Sequence, residues 1–160
     1  MEYNDIYDKD RNLTGRRHRR GKPWAEGEYG LVVCVWVYDG KGKLLLTRRA
    51  KGKSFAGTWE NSGGAARAGE SSRQAIVREL FEETHQRASE LTFRGISRMQ
   101  RPDGTLCYQA VFTGVVERLE PFVATDEDEM SDIMLWDLKR DIGYVDECDL
   151  KIVKMLAAMR

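Results

Sequence analysis

The segment from residue 63 to residue 84 most constrains the fold, because it joins a glycine-rich stretch to a helix with two distinct stripes. Residues three and four positions apart lie on one side of a helix, so Glu79, Glu82 and Glu83 share an arc of roughly 100°. An apolar stripe lies beside this arc and consists of Ile76, Val77, Leu80, Phe81 and Thr84. Such a helix lies at the edge of a core and turns its carboxylates toward one place.

Three neighbouring carboxylates repel one another, at a cost of about 0.2–0.5 kcal/mol for each exposed pair. A divalent cation would turn this repulsion into binding, and carboxylate oxygens suit Mg²⁺ or Mn²⁺. Mg²⁺ also bridges carboxylates to substrate phosphates. The pattern therefore indicates a metal site on the helix. The alternative at this point is an ordinary amphipathic helix with a solvated acidic face, because the spacing alone is compatible with both.

Residues around the acids are suited to support them. Arg78 flanks the acids on the same helix and can hold one of them by a bidentate ion pair. Ahead of the helix, Gly63, Gly64 and Gly69 permit positive φ angles and close approach of the backbone. We expect a loop of this kind to bring Glu70 to the same metal.

The order of these residues resembles a known signature. Gly64, Glu70 and the run 78–83 are separated by five and by seven residues, as in the Nudix box of hydrolases that cleave diphosphates linked to nucleosides or other groups. The match ends after position 84, where His85 and Gln86 replace the usual glycine and aliphatic residue. That glycine normally ends the helix as a left-handed cap. We expect His85 to be a helix cap or a surface residue.

The resemblance implies metal-assisted hydrolysis and assigns most of the residues that carry it. The implied metal ligands are Glu79, Glu82, Glu83 and, as a further ligand, Glu70. Arg78 is implied to orient them, while one or two Mg²⁺ ions would lower the pKa of the water that attacks phosphorus. The general base differs between family members. Our candidate is Glu129, in an acidic segment before a predicted strand, and a solvated acidic loop is the alternative.

The composition is that of one globular domain acting on a small molecule. The chain has 160 residues, 41% of them hydrophobic, and 26 basic residues balance 26 acidic ones. A neutral chain gives no electrostatic reason to expect a nucleic acid or a membrane as partner. Cys34, Cys107 and Cys148 are scattered and are expected to be buried or half-buried, and no apolar run approaches the roughly 20 residues of a membrane span. We expect a cytoplasmic protein, and the resemblance is compatible with a homodimer.

Alternating strand and helix patterns predict an α/β fold. Predicted strands cover residues 31–38, 43–49, 58–61, 91–99, 106–116 and 133–136, and predicted helices cover 71–84 and 146–159. The first two strands are expected to pair, and Trp36 and Trp136 to lie in the core. The Nudix resemblance covers roughly residues 28–160 and implies an α/β/α sandwich with a mixed sheet and a loop-helix-loop catalytic motif.

Residues 1–27 are polar, and we interpret them as an amino-terminal extension that packs on the domain. The basic run at residues 16–20 has three interpretations. It is a solvated or loosely ordered loop, a contact with nucleic acid, or a source of one or two arginines for a substrate phosphate, since guanidinium groups match phosphate geometry. His18, within this run, is expected on the surface.

Other candidates for substrate binding lie between the first strand and the helix. Arg48 and Arg49 are basic residues that could hold a phosphate. Trp59 precedes the glycine-rich stretch and is expected near the pocket. The full predicted set of substrate-binding residues is Gly63, Gly64, Arg48, Arg49 and Trp59.

A second similarity raises a different reaction. Residues 1–27, 32–38, 44–53 and 57–64 resemble the Nudix subgroup related to isopentenyl-diphosphate isomerase, which uses a cysteine and a glutamate for proton transfer and histidines for metal binding. This chain has Asn61 and Ser62 where the cysteine would be expected, and Gly30 near the place of a histidine ligand. We therefore predict hydrolysis of a nucleoside diphosphate derivative or a similar small organic diphosphate. The alternatives are an isomerase and a diphosphate-binding domain without turnover.

Overall fold

A nine-stranded mixed sheet carries helix α1 in the part of the chain that the computed structural model describes, which is residues 1–101, 103–125 and 129–137. The elements are β1 (Tyr3–Tyr7), β2 (Leu13–Arg19), β3 (Tyr29–Asp39), β4 (Leu44–Arg49), β5 (Trp59–Glu60), β6 (Ser62–Ala65), α1 (Ser72–Thr84), β7 (Ser89–Gln100), β8 (Leu106–Val116) and β9 (Met130–Trp136). The predicted α/β class with a mixed sheet is confirmed. The helix predicted at residues 146–159 lies outside the described residues.

β3 is the central strand of the sheet. It pairs in parallel with β8 along its whole length, from Tyr29 opposite Leu106 to Asp39 opposite Val116. Its other edge is shared by three antiparallel strands, with β1 at one end, β6 in the middle and β4 at the other end. A strand enclosed in this way favours the continuous β-branched and aromatic run found here.

The predicted hairpin of β3 and β4 forms at its turn, where Tyr38 pairs with Leu44, and then opens. Beyond this pair β6 lies along β3, while β9 and β5 lie along β4. The chain passes from β5 to β6 at Asn61 and so crosses from the β4 side to the β3 side. This crossing brings residues 59–65 into the sheet next to α1.

Helix α1 packs on one face of the sheet, called here the helix face. Ile76 and Leu80 are buried there in one cluster with Val33 of β3, and burial of each such side chain stabilises the fold by roughly 1.5–3 kcal/mol. The apolar stripe is narrower than predicted, because Val77 and Phe81 are 45% and 41% exposed. They lie about 100° around the helix from the buried pair and so face away from the sheet.

The opposite face of the sheet, called here the tryptophan face, has its own core. Its buried members are Trp36, Tyr38, Leu44, Leu46 and Trp136, with Trp59 packed against them. The prediction that Trp36 and Trp136 belong to the core is confirmed. Cys34 and Cys107 are buried as predicted, whereas Cys148 lies outside the described residues.

Both ends of α1 are capped. At its start, the Ser71 side chain accepts a hydrogen bond from the backbone of Gln74, and the Gln74 side chain accepts one from the backbone of Ser71. At its end, His85 adopts φ 58° and ψ 15°, and its N–H donates to the carbonyl of Phe81. His85 is therefore a left-handed cap in the place of the usual glycine, which confirms the predicted cap.

The amino-terminal residues are part of the sheet. β1 and β2 form an antiparallel hairpin, and Tyr7 of β1 pairs with Tyr29 of β3. The interpretation of residues 16–20 as a loosely ordered loop is wrong, because residues 16–19 belong to β2. The surface position expected for His18 is also wrong, since this side chain is buried and stacks on Trp24 with 3.8 Å between ring centroids. Charge composition suggested a loop, but pairing with β1 outweighs it.

Candidate active site

The two glycines of β6 let the helix acids approach the sheet backbone. A Cβ atom placed on Gly64 would lie 2.5 Å from the carboxylate carbon of Glu79, and one on Gly63 would lie 2.3 Å from the carbonyl oxygen of Val33. The N–H of Gly63 donates to Oε2 of Glu83 at 3.1 Å. The expected close approach is therefore present at both glycines. The expected positive φ is found at Gly69 in the following loop, at 85°, whereas Gly63 and Gly64 are in extended strand conformation.

Glu83 and Glu79 lie in an environment that disfavours their ionised forms. Burial raises the pKa of Glu83 well above its ordinary value, and the charges of Glu79, Glu60 and Glu129 raise it further. Burial also raises the pKa of Glu79, although the hydrogen bond from Arg78 acts in the opposite direction. A divalent cation between these oxygens would favour their ionised forms.

Arg78 connects the acids of the motif. Its Nε and Nη2 donate to the two carboxylate oxygens of Glu70 at 2.7 and 2.8 Å. Its Nη1 donates to Glu79 at 2.8 Å and to Glu82 at 3.0 Å, and Nη2 also reaches the carbonyl oxygen of Ala65. The arginine is thus in position to orient the carboxylates. Both oxygens of Glu70 face Arg78, so a metal bound by Glu70 would share a carboxylate oxygen with this pair or displace part of it.

Glu82 lies apart from the buried pair. Its side chain is 46% exposed and accepts a second hydrogen bond, at 3.3 Å, from Arg67. In the described ranges, no three His, Cys, Asp or Glu side chains stand close enough together to form a ready-made metal site. The chemistry of the donors still fits Mg²⁺ or Mn²⁺. The carboxylates of Glu79 and Glu83 repel each other, and the carboxylate of Glu82 lies beside them at the solvent edge.

Arg49 holds two further carboxylates near the helix acids. Its Nη1 is 2.7 Å from Oε1 of Glu129 and 3.4 Å from Oε1 of Glu60, and its side chain is 15% exposed. The N–H of Ala50 also donates to the carbonyl of Glu129. Arg49, predicted to bind substrate, therefore binds protein carboxylates. Glu60 was missed in the sequence, where its position directly before the glycine-rich stretch was the available signal.

Arg48 and Trp59 belong to the other face. They are opposite one another in β4 and β5, and the Arg48 guanidinium lies 5.8 Å from the centroid of the Trp59 ring. Adjacent strand residues point to opposite faces, so Arg48 and Arg49 diverge. The predicted substrate set is thus divided, with Gly63, Gly64 and Arg49 beside the helix acids and Arg48 and Trp59 beside the tryptophan core.

Gln86 replaces the aliphatic end of the motif with a buried polar contact. Its Nε2 donates to the carbonyl oxygens of Thr84 and Glu120 at 2.9 and 2.8 Å, and its Oε1 accepts from the Glu120 N–H at 2.7 Å. The side chain is 1% exposed. The unusual end of the motif therefore fixes the segment after α1 to the chain near residue 120.

The fold and the site together define an α/β domain with a glycine-flanked acidic helix. Residues 28–146 match the NUDIX domain family. The chain therefore belongs to the Nudix family.

Two relatives each match about half of the chain. An uncharacterised Nudix hydrolase from Listeria monocytogenes is 41% identical over 85 residues, covering 52% of this chain and 50% of the relative. An isopentenyl-diphosphate Delta-isomerase from Halorhodospira halophila is 36% identical over 85 residues, covering 52% and 49%. The matched segment thus spans about half the length of each relative.

A solved structure shares the fold. The Nudix domain of NrtR from Shewanella oneidensis, in complex with ADP ribose, superposes with a TM-score of 0.67 at 18% identity and covers 89% of this chain and 93% of that one. At this identity the likeness concerns the fold alone. No helix in the described ranges is long and apolar enough to cross a membrane.

Proposed function

We propose that this chain is a Mg²⁺- or Mn²⁺-dependent hydrolase of a diphosphate linkage, acting on a nucleoside diphosphate derivative or a similar small organic diphosphate. The observation that carries the proposal is the position of two carboxylates against the β6 glycines: Glu83 is 6% exposed and accepts from the Gly63 N–H, and Glu79 lies against Gly64. Burial raises the pKa of both groups. Two carboxylates held beside glycine backbone at such a cost suit a site that receives a cation.

Each residue of the motif has a part in this proposal. Glu79, Glu82 and Glu83 would hold the metal, with Glu70 as a further ligand. The bound metal would supply charge neutralisation on the diphosphate and a water of lowered pKa. Arg78 orients the carboxylates through its hydrogen bonds. The donor set, the orienting arginine and the family membership support this assignment.

Glu129 is the proposed general base. Arg49 fixes one of its carboxylate oxygens, and the side chain is 49% exposed. The charge of Glu129 raises the pKa values of both Glu79 and Glu83, and this interaction supports a role near the proposed metal site. A carboxylate so placed can accept the proton of the attacking water.

The similarities support a diphosphate substrate but favour no single one. ADP ribose, bound to the structural neighbour, is itself a nucleoside diphosphate derivative. Likeness to an isomerase keeps isomerisation as an alternative. Against it, Asn61 and Ser62 precede Gly63 where a cysteine would be expected, and Cys34 and Cys107 are buried in strands.

The test is a substrate panel with the full chain. Nucleoside diphosphate sugars, dinucleoside polyphosphates, nucleoside triphosphates and isoprenoid diphosphates are incubated with Mg²⁺ or with a chelator. We expect one class to release phosphate, pyrophosphate or a monophosphate when Mg²⁺ is present. Conversion of isopentenyl diphosphate to its dimethylallyl isomer would support the isomerase instead. Binding of a diphosphate with no product would support a domain without turnover.

A further inference from the structure

The amino-terminal hairpin is attached to the loop that precedes the acidic helix. The N–H of Ala68 donates to the carbonyl of Tyr3 at 2.8 Å, and the N–H of Gly69 donates to Oδ2 of Asp5 at 2.6 Å. The buried side chain of Asn4 donates to the carbonyl oxygen of Ala66 at 2.7 Å. Strand β1 thus determines the path of residues 66–69, although it lies before the segment that matches the family.

Glu2 joins two arginines at this junction. One of its carboxylate oxygens accepts from Arg20, and the other accepts from Nε of Arg67 at 2.8 Å. Nη2 of Arg67 in turn lies 3.3 Å from Oε1 of Glu82. Two guanidinium groups are therefore held together beside the proposed metal ligand at the solvent edge of the site.

These guanidinium groups remain open to solvent. The side chains of Arg20 and Arg67 are 66% and 44% exposed, whereas the carboxylate between them is 28% exposed. One carboxylate cannot balance two guanidinium charges, and Glu82 is shared with Arg78. The junction therefore holds two solvent-exposed guanidinium groups beside a strongly acidic site, where a cation bound to the acids would leave their charge uncompensated.

Arg20 also lies within electrostatic reach of the acids deeper in the site. Its hydrogen bond to Glu2 raises the pKa of Arg20, and the charges of Glu129 and Glu79 add to this effect. The other arginines of the basic run have different surroundings. Arg16 pairs with Glu28 at 2.6 Å, and Arg17 is 4.0 Å from Asp5.

We propose that Arg20 and Arg67, held by Glu2, form a phosphate-binding subsite for the part of the substrate diphosphate that the metal does not neutralise. The inference rests on the proposed function. A diphosphate approaching Glu79, Glu83 and Glu129 carries its own negative charge, so it needs cations beyond the metal. Two solvent-exposed guanidinium groups suit phosphate oxygens, and their shared carboxylate keeps them in place before substrate arrives.

The test measures binding of inorganic pyrophosphate to the full chain by calorimetry in the presence of Mg²⁺. Arg20→Ala and Arg67→Ala should each raise Kd by about tenfold or more, and Arg20→Lys should restore part of the loss. Arg118→Ala is the control, because Arg118 is an exposed arginine outside both the basic run and the site. Its Kd should stay within about twofold of wild type. In turnover assays Arg20→Ala should raise KM far more than it lowers kcat.

Each outcome bears on the inference. Wild-type Kd values in both alanine variants would overturn it, as would failure of the wild-type chain to bind pyrophosphate. If Arg20→Ala does not fold, Arg20→Gln is measured in its place and must show the same loss. Binding that depends on Arg20 in a chain that hydrolyses no diphosphate would retain the subsite and reject the proposed hydrolase.

Discussion

The carboxylate of Glu79 occupies the space that a side chain on Gly64 would need. The distance from a Cβ at position 64 to both the carboxylate carbon and Oε1 of Glu79 is 2.5 Å. Glycine is therefore required at position 64 because the helix residue Glu79 fills the space beside the strand. Its backbone is extended, so a positive φ is not the reason. A residue next to the proposed metal site is thus constrained by the position of a proposed ligand.

Gly64→Ala should displace Glu79 and impair metal binding. We expect kcat/KM to fall by about a hundredfold, because misplacement of a catalytic group by about 1 Å has effects of this size. The free energy of unfolding should fall by about 1–3 kcal/mol through overpacking. Turnover assays measure kcat/KM, Mg²⁺ titrations measure metal binding, and urea denaturation measures the free energy of unfolding. Gly40→Ala is the control, because a Cβ there meets no atom within 4 Å, and equal behaviour of the two variants would contradict the argument.

Glu82→Gln should abolish metal-dependent hydrolysis and leave the fold intact. The side chain is 46% exposed, and exposed ion pairs contribute only about 0–1 kcal/mol to stability. The variant should therefore lose its activity with Mg²⁺, while its thermal unfolding stays close to that of the wild type. Glu26→Gln, at an exposed acid outside the motif, should change neither. Full activity in Glu82→Gln would remove Glu82 from the ligand set.

Arg78→Lys should weaken both the fold and the reaction, although the charge is retained. A lysine cannot make the paired hydrogen bonds to Glu70 while also reaching Glu79 and Glu82. We expect a loss of about 1–3 kcal/mol in unfolding free energy and a fall in kcat of about tenfold or more. Arg73→Lys, which loses a single contact to the carbonyl of Leu91, should have a small effect. Similar losses in both variants would show that Arg78 has no special role.

Local patterns predicted the parts of the site that depend on helix geometry. Residues 71–84 were predicted as a helix, and α1 comprises Ser72–Thr84 with Arg78 beside its acids. The period of 3.6 residues and the motif spacing are both local, so the sequence contains them directly. The placement of Glu79 against Gly64 also follows once β6 and α1 are adjacent.

Parts that depend on distant pairing were predicted less well. A loop is one of three interpretations that the basic run allows, but β1 supplies hydrogen-bond partners that make residues 16–19 part of a strand. The hairpin of β3 and β4 opens because β6 takes its place beside β3, and no local signal reveals this exchange. The placement of Arg48 and Arg49 on opposite faces of the sheet follows from the sequence once the strand is recognised, since neighbours in a strand face opposite sides.

Stability should depend on pH through Glu83. Burial raises the pKa of this carboxyl in the folded state above the unfolded value of about 4.3. Its contribution to stability is therefore fully present below the unfolded pKa and is lost as pH rises toward the folded pKa. Glu70 has the opposite sign, because its hydrogen bonds from Arg78 lower its pKa. The stability that Glu70 adds is complete above about pH 4.5, so it does not mask the effect of Glu83 at higher pH.

In the presence of a chelator, the free energy of unfolding should thus fall as pH rises from about 4.5 toward 7. Glu83→Gln removes one ionisable group and should make this fall shallower, leaving the part that Glu79 contributes, and Glu26→Gln should leave the fall unchanged. Added Mg²⁺ should restore stability to the wild-type chain near neutral pH, because a cation favours the ionised carboxylates that burial disfavours. Urea denaturation across the pH series measures all three effects. If the free energy of unfolding changed with pH equally in the wild type and in Glu83→Gln, Glu83 would not be a source of the pH dependence.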